Sequence, residues 1–255
     1  MSRPTDYDSV AAGYDVRYRT FDYSEIKQAL ESFLGDVRAD AMLEVGCGTG
    51  HWLRELVGHA ARVVGVDRSA EMIARAKGAG ASLIRASAEQ LPFSGAAFDR
   101  LLCINALHHF SSRPRFFEES HRVLRNGGGL CTIGLDPHAE RDAWWVYDYF
   151  PPTLEIDRQR FAAVRTIRGE LVKAGFSWAE SSEAQVFEHV MPAREAFDAG
   201  LVSRSFTSQL TVLTDEELAD GMARLRDAME SEKKAGRELM LSSELHLFMT
   251  TAWLG

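Results

Sequence analysis

The sequence contains little cysteine, and the spacing of its cysteines excludes the common cysteine-based sites. Cys47, Cys103 and Cys131 lie far apart, each in an apolar or glycine-rich setting. Because no Cys-x-x-Cys pair or Cys/His ligand spacing is present, we expect no structural zinc and assign no residue to a metal. Free cysteine is buried readily, so we predict three buried cysteines in the reduced form.

A long apolar run is also missing. No stretch approaches the ~20 apolar residues that a membrane-spanning helix needs, so we expect no membrane partner. Residues 1–15 are polar and acidic, without the basic start and apolar stretch of a secretory signal. These two absences together predict a cytoplasmic location.

The sequence also lacks an excess of basic residues. The chain has 29 Lys and Arg residues against 37 Asp and Glu residues, a formal net charge of −8. Proteins that bind duplex nucleic acid usually present a basic face. The charge balance therefore argues against nucleic acid as the main partner. It would suit a cationic ligand, mainly through the rate of encounter.

What the chain does have is enough apolar sequence for one core, with 45% hydrophobic residues in a length of 255. Across residues 41–137, short apolar runs alternate with amphipathic segments. Buried strands are predicted at residues 41–45, 62–66, 83–85, 99–105 and 130–135. Helices are predicted at residues 51–58, 70–77 and 113–124, and the glycines of 127–129 are expected to turn the chain.

Strands that alternate with helices predict a parallel sheet with helices on both faces. In such open sheets, ligands bind outside the carboxyl ends of the strands, so the loops after these strands should surround one crevice. The rest of the chain is less regular. It contains an aromatic-rich segment at residues 142–150, a predicted helix at 158–174, a strand within 176–190 and a closing strand at 244–254.

We interpret the chain as one domain, because no linker separates its parts. Residues 1–35 are interpreted as an N-terminal helical lid, within which residues 6–34 are predicted to be helical. Residues 36–137 form the core that binds a cofactor, and residues 138–192 hold the aromatic segment, a helix and the sixth strand. Residues 193–243 are interpreted as a helical cap over the crevice, followed by the last strand at 244–255.

The clearest local signal is the run Glu44-Val45-Gly46-Cys47-Gly48-Thr49-Gly50 between a strand and a helix. Glycines allow a tight turn with positive φ and let a ligand touch the backbone. The dinucleotide fingerprint would be G-x-G-x-x-G, which places a pyrophosphate at a helix N-terminus. Here the spacing is G-x-G-x-G, and Glu44 would repel a pyrophosphate but attract an ammonium. S-adenosylmethionine carries an ammonium and a sulfonium and no phosphate, so it fits the charge better.

Two further segments fit the adenosine part of that cofactor. Asp67 ends the second strand about 20 residues after the glycine turn, where a carboxylate can hold a ribose diol. Met72, one turn into the next helix, either packs on an adenine face or is ordinary core. Ser87 can hydrogen-bond the adenine amino group, and the backbone of Ala88 can meet a ring nitrogen.

The segment Asn105-Ala106-Leu107-His108-His109-Phe110 follows the fourth strand, beside the glycine turn. His108 and His109 are candidate general bases, because imidazole titrates near neutral pH. Either histidine could instead pack at the strand end. Tyr14 could line an acceptor pocket, touch the methionine end of the cofactor, or simply pack within the N-terminal helix.

Taken together, these segments resemble the class I S-adenosylmethionine-dependent methyltransferases, in the branch similar to ubiquinone/menaquinone-biosynthesis methyltransferases. The resemblance implies an α/β, Rossmann-like, doubly wound and mostly parallel seven-stranded sheet with an antiparallel last strand and a helical cap. It also implies S-adenosyl-L-methionine as the cofactor. Ser87 departs from the pattern, since the family often has aspartate there. The residues assigned to the cofactor are Tyr14, Glu44, Gly46, Cys47, Gly48, Thr49, Gly50, Asp67, Arg68, Met72, Ser87, Ala88, Glu89 and Asn105.

The resulting hypothesis is methyl transfer to O, N or C of a small organic molecule. Proximity and orientation would supply most of the catalysis, and a base is needed only if the acceptor must lose a proton. The first alternative is a nicotinamide-dependent oxidoreductase, which Glu44 and the G-x-G-x-G spacing disfavour. The second is a nucleic-acid methyltransferase, which the acidic charge balance disfavours. The third is a non-catalytic protein that retains the cofactor crevice, and turnover with any acceptor would separate it from an enzyme.

Overall fold

A computed structural model describes residues 15–35, 39–204 and 206–255 of the chain. Its first helices are α1 (Val16–Thr20) and α2 (Ser24–Leu34). The single helical stretch expected over residues 6–34 is therefore wrong within this part. The helix breaks before Ser24, where the carboxylate of Asp22 accepts hydrogen bonds from the Ser24 backbone N–H and hydroxyl at 2.9 Å each. Tyr14 lies outside the described residues.

The sheet is built mainly from parallel strands. Its order is β3-β2-β1-β4-β5-β8-β6, with β7 paired to β8, and β8 runs antiparallel to its neighbours. This confirms the Rossmann-like sheet with an antiparallel last strand. The strands are β1 (Ala39–Val45), β2 (Ala60–Asp67), β3 (Ser82–Arg85), β4 (Phe98–Ile104), β5 (Leu124–Leu135), β6 (Ala143–Trp144), β7 (Trp178–Pro192) and β8 (Met240–Trp253).

Helices cover the sheet and form a cap. Those that alternate with the parallel strands are α3 (His51–Leu56), α4 (Ala70–Arg75) and α5 (Arg113–Val123). After the parallel strands come α6 (Trp145–Tyr149), α7 (Pro152–Arg160) and α8 (Val164–Lys173), and after β7 come α9 (Ala193–Asp198), α10 (Ser208–Thr211) and α11 (Asp215–Lys234). Within the part of the chain just described, no helix is both long and apolar enough to cross a membrane.

Three predicted elements are wrong in extent, one of them the closing strand, which starts at Met240 rather than Glu244. The helix expected at residues 158–174 is split into α7 and α8, because the Asp136 side chain accepts the Val164 backbone N–H at 2.9 Å and so starts a new helix. The fifth strand starts at Leu124 rather than Leu130. Between Phe98 and Arg100 the pairing with β5 shifts register, so the glycines of residues 127–129 lie inside the strand as an irregularity.

The core has two clusters, one on each face of the sheet, because alternate strand residues point to opposite faces. In β1, for example, Leu43 packs in one cluster and Met42 in the other. A third cluster, which contains Trp145, Phe150 and Leu225, is the core of the cap. All three cysteines are buried and free, which confirms that prediction.

Two helical glycines should respond to alanine in opposite ways. A Cβ at Gly221 in α11 would lie 2.0 Å from the ring of Phe150, whereas a Cβ at Gly169 in α8 would meet nothing within 4 Å. We expect Gly221→Ala to lower the free energy of unfolding by about 1–3 kcal/mol through overpacking. Gly169→Ala should raise it by about 0.5–1 kcal/mol, because alanine loses less backbone entropy in a helix. Denaturant unfolding of both variants checks this, and a shift of the same sign in both would contradict it.

Candidate active site

The glycine turn after β1 is held by the neighbouring strand. The backbone N–H groups of Gly46 and Cys47 both donate to the Val66 carbonyl, at 2.8 and 3.0 Å. Gly46 has a φ of +75°, and a Cβ there would lie 2.4 Å from the Cβ of Ala106. Only glycine therefore fits where the ends of β1, β2 and β4 come together.

Asp67, at the end of β2, supports the same turn with both of its oxygens. One accepts the Gly48 backbone N–H and the other the Ser69 backbone N–H, each at 2.9 Å. Burial raises the pKa of Asp67, and these backbone hydrogen bonds oppose that rise. Each oxygen keeps a further lone pair, so the carboxylate can still accept from a diol. The Ser69 hydroxyl caps α4 by accepting the Met72 N–H.

Glu44 lies beneath the turn and is only 2% exposed. Its Oε2 atom has no hydrogen-bond partner among the described residues. Burial, with a smaller contribution from the charge of Asp67, raises the pKa of Glu44 well above its usual range. An isolated buried carboxylate is costly unless it finds a cation or a proton. This unpartnered oxygen beside the turn therefore fits the ammonium of S-adenosylmethionine.

A crevice opens at the carboxyl ends of the strands, as the fold rule predicts. It brings together most of the residues expected at the cofactor: Gly46, Gly48, Asp67, Arg68, Met72, Ser87, Ala88, Glu89 and Asn105. Glu44, Cys47, Thr49 and Gly50 do not line it. The Thr49 hydroxyl instead donates to the Asp15 carboxylate at 2.5 Å, which ties the turn to the start of the described chain. The sequence analysis assigned no role to six further lining residues: Val45, Val66, Ala86, Ala106, Phe110 and Ser111.

Ser87 and Glu89 interact with each other at the adenine end proposed for the crevice. The Ser87 hydroxyl donates to the Glu89 carboxylate, which also accepts the backbone N–H groups of Ser111 and Ser112 at 2.6 and 3.2 Å. Burial would raise the pKa of Glu89, but these hydrogen bonds outweigh it and lower the pKa. Glu89 therefore fixes the loop after His109, and it holds the hydroxyl of Ser87 in one direction.

A second concavity, called here the acceptor cavity, lies under the cap. It encloses about 1040 Å³ including its open mouth. Aromatic side chains from the N-terminal segment, the cap and β7 form much of its wall: Phe21, Tyr23, Trp144, Trp145, Phe161, Phe187 and Phe206. Asn105 and His109 line both this cavity and the cofactor crevice. The two concavities therefore meet at the end of β4.

The residues at this junction are held in defined positions. Asn105 has a φ of +51°, a conformation that is uncommon outside glycine and is enriched at functional sites. Its backbone N–H donates to the Ile133 carbonyl at 2.8 Å. The His108 ring stacks on Phe161 with centroids 3.9 Å apart and contacts His109 at 3.7 Å. Of the two histidines, His109 lines both concavities, whereas His108 lines the acceptor cavity but not the cofactor crevice.

Comparison with known proteins identifies the type of domain. Residues 43–132 match the family model described as a methyltransferase domain. A phthiotriol/phenolphthiotriol dimycocerosates methyltransferase of Mycobacterium leprae is 34% identical over 134 residues, which cover 50% of this chain and 49% of that protein. An uncharacterized protein of Mycobacterium tuberculosis is 26% identical over 239 residues, covering 79% of this chain and 86% of the relative. The match thus spans about half the length of the first of these relatives.

Solved structures share the fold. A protein from an antibiotic biosynthesis pathway of Anabaena variabilis, described as a candidate methyltransferase, has a TM-score of 0.70 at 20% identity and covers 89% of this chain and 96% of its own. Phosphoethanolamine N-methyltransferase 2 of Haemonchus contortus, in complex with S-adenosyl-L-methionine, has a TM-score of 0.60 at 17% identity and covers 97% of this chain and 57% of its own.

Residues 43–132 of the chain are thus similar to a methyltransferase domain, and the solved structures share the Rossmann-like sheet that carries this segment.

Proposed function

We propose that this protein transfers the methyl group of S-adenosylmethionine to an oxygen, nitrogen or carbon atom of a small organic molecule held in the acceptor cavity. The observation that carries the proposal is the junction at Asn105 and His109, which both concavities share. A donor in the crevice and an acceptor in the cavity would meet there, shielded from water by the cap. We also propose a place in the branch similar to ubiquinone/menaquinone-biosynthesis methyltransferases, and a cytoplasmic location.

The crevice residues, together with Glu44, which is buried beneath the turn and does not line the crevice, would each hold a different part of the cofactor. Glu44 would hold the ammonium, Asp67 the ribose hydroxyls, and Met72 with the Ser87–Ala88 segment the adenine. The cofactor supplies a methyl group on a sulfonium, which is already a good leaving centre. The protein therefore mainly has to align donor and acceptor, an effect that can supply on the order of 7–11 kcal/mol.

His109 is the better of the two candidate bases, because it lies at the junction, whereas His108 does not line the cofactor crevice. It would take a proton from an acceptor hydroxyl or amine as the new bond to the methyl group forms. Such a base contributes typically ~10²–10⁴-fold. An acceptor that has no proton to lose would not need it.

The proposal is tested first by calorimetric titration of the full chain with S-adenosylmethionine, with NADH as the control. We expect micromolar binding of the first and none of the second. Binding of NADH would favour the oxidoreductase, and absence of both would overturn the proposed crevice. Turnover of any acceptor, followed as release of S-adenosylhomocysteine, would then exclude a purely binding role.

Asp67→Ala tests the ribose assignment. We expect the affinity for adenosine to fall by about 1–3 kcal/mol, because a charge-assisted hydrogen bond is lost. The control ligand is 2′,3′-dideoxyadenosine, which lacks both hydroxyls. The wild type should prefer adenosine, and the variant should bind the two ligands alike. Because Asp67 also supports the turn, a lower affinity alone would not be specific to the diol, but loss of the preference for adenosine would be. If the variant still prefers adenosine over 2′,3′-dideoxyadenosine, the ribose assignment is refuted.

A further inference from the structure

The wall of the acceptor cavity contains no fully charged side chain of Asp, Glu, Lys or Arg among the residues that the structure describes. Its polar groups are hydroxyls, amides and imidazoles, set among aromatic and aliphatic side chains. An ammonium or phosphate group enclosed there would lack an opposite charge, which is costly in a buried site. The wall therefore favours an uncharged acceptor, although the net charge of the chain would suit a cation.

One amide in this mostly apolar wall, that of Gln209, is fixed by hydrogen bonds to neighbouring buried residues. The Gln209 side chain, in α10 of the cap, donates from Nε2 to Asp157 at 2.9 Å, and its Oε1 accepts from the Ser208 hydroxyl at 3.3 Å. The same Asp157 oxygen accepts the hydroxyl of Tyr147 at 2.9 Å. Arg160 in turn donates to the Ser208 hydroxyl at 2.9 Å and lies 3.7 Å from the other Asp157 oxygen.

This polar network is buried, with Asp157 at 0%, Arg160 at 5% and Gln209 at 6% exposure. Burial raises the pKa of Asp157 to about 6, so the network is costly to maintain in its ionised form. Buried ion pairs contribute little net stability compared with apolar residues of similar volume. The network instead fixes the Gln209 side chain in one orientation, through hydrogen-bonding residues from α6, α7 and α10.

The amide of Gln209 keeps hydrogen-bonding capacity for a ligand. A glutamine side chain has two N–H donors and two acceptor lone pairs. One N–H is used by Asp157 and one lone pair by Ser208. The remaining N–H and lone pair can bind either a carbonyl or a hydroxyl group. In apolar pockets, a few polar groups placed in this way fix the orientation of the ligand.

We propose that Gln209 recognises an uncharged oxygen substituent, a hydroxyl or a carbonyl, on an otherwise apolar methyl acceptor. The inference rests on the proposed function, because it takes this cavity to be the acceptor site. It makes Gln209 a residue that determines specificity, distinct from His109 at the junction. Asp157, Arg160 and Tyr147 are positioning residues that act through it.

The test uses the full chain and four probes that share one ring system: naphthalene, 2-naphthol, 2-naphthoate and 2-(aminomethyl)naphthalene. Equilibrium dialysis gives their affinities with and without S-adenosylhomocysteine. For the wild type we expect 2-naphthol to bind about three- to tenfold more tightly than naphthalene, the effect of one hydrogen bond. The anionic and cationic probes should bind about tenfold or more weakly than 2-naphthol, because their charge is left without a partner.

Gln209→Leu should abolish the preference for 2-naphthol over naphthalene and leave the affinity for naphthalene unchanged. The matched control is Gln159→Leu in α7, since Gln159 is an exposed glutamine whose amide donates to Glu155 at 3.1 Å. That control should keep the preference. In Gln209→Leu, Asp157 can still accept the hydrogen bond from the Tyr147 hydroxyl. A thermal melt checks that the variant is folded. The wild-type ranking of the four probes is a test that needs no variant.

Three results would overturn the proposal. The first is that either charged probe binds as tightly as 2-naphthol, and the second is that Gln209→Leu lowers the affinity for naphthalene as much as the affinity for 2-naphthol. The third is that no probe binds. Failure of the proposed function has a separate signature. In that case S-adenosylmethionine would not bind in calorimetry, whatever the probes do.

Discussion

Glu44→Gln should weaken S-adenosylmethionine binding by about 1.5–3 kcal/mol, which is roughly tenfold to a hundredfold in affinity. The reason is that the buried carboxylate, whose Oε2 has no partner among the described residues, would lose its charge opposite the ammonium. Calorimetry at pH 8 measures this effect. The control ligand is 5′-methylthioadenosine, which has the adenosine and the sulfur but no amino acid part. Its affinity should be unchanged, and an equal loss for both ligands would refute the role of Glu44.

The same carboxyl should make cofactor binding depend on pH. Burial raises the pKa of Glu44, so the free protein holds a proton there at pH values where an exposed glutamate would be ionised. An ammonium beside it favours the ionised form, and binding should therefore release a proton. Affinity is expected to rise as the pH rises through the raised pKa, and to fall again where the α-ammonium of the cofactor, with a pKa of about 8, loses its proton. Calorimetry in buffers of different ionisation enthalpy counts the released proton, and Glu44→Gln should abolish the release.

The raised pKa of Glu44 also makes the stability of the protein depend on pH. Stability should fall as the pH rises through this pKa, whereas cofactor affinity should rise. Because the folded pKa lies above the unfolded one, the native state binds more protons in the window between them. This contribution to the free energy of unfolding is present at low pH and is lost as the pH rises through the folded pKa. Glu44→Gln should therefore unfold at a higher temperature than the wild type at pH 8. A lower melting temperature would mean that the carboxylate has a stabilising partner.

Gly46→Ala should reduce cofactor affinity about a hundredfold or more. A φ of +75° costs an alanine about 1–2 kcal/mol, and its Cβ would overlap with the Cβ of Ala106 at 2.4 Å, adding about 1–3 kcal/mol. Since Ala106 lines the crevice beside Asn105, relief of the overlap would move the wall that the cofactor contacts.

The control is Gly134→Ala in β5, where a Cβ would meet nothing within 4 Å and the φ is not positive. It should bind S-adenosylmethionine like the wild type and unfold at a similar temperature. Calorimetry with a thermal melt separates loss of binding from loss of fold. Wild-type binding by Gly46→Ala would show that the turn is not held as described.

The sequence predicted the features that depend on local patterns. The strands β1 to β4 and the helices between them alternate in short stretches, so their periodicity identified them within a few residues. The glycine turn and Asn105 follow directly after a strand and Asp67 ends one, and the rule for ligands at the carboxyl ends of strands placed them in one crevice. Nine of the residues expected at the cofactor do line that crevice.

The tertiary structure decided what depends on distant pairs of residues. Asp136 splits the helix expected at residues 158–174, from a position 28 residues away. Phe21, His189 and Gln209 meet in the acceptor cavity although long stretches of chain separate them. No local pattern shows such encounters, because side chains of distant segments meet only when the cap folds over the sheet. The sequence by itself thus determined the sheet and the cofactor crevice. The shape of the acceptor cavity and its charge were decided by packing.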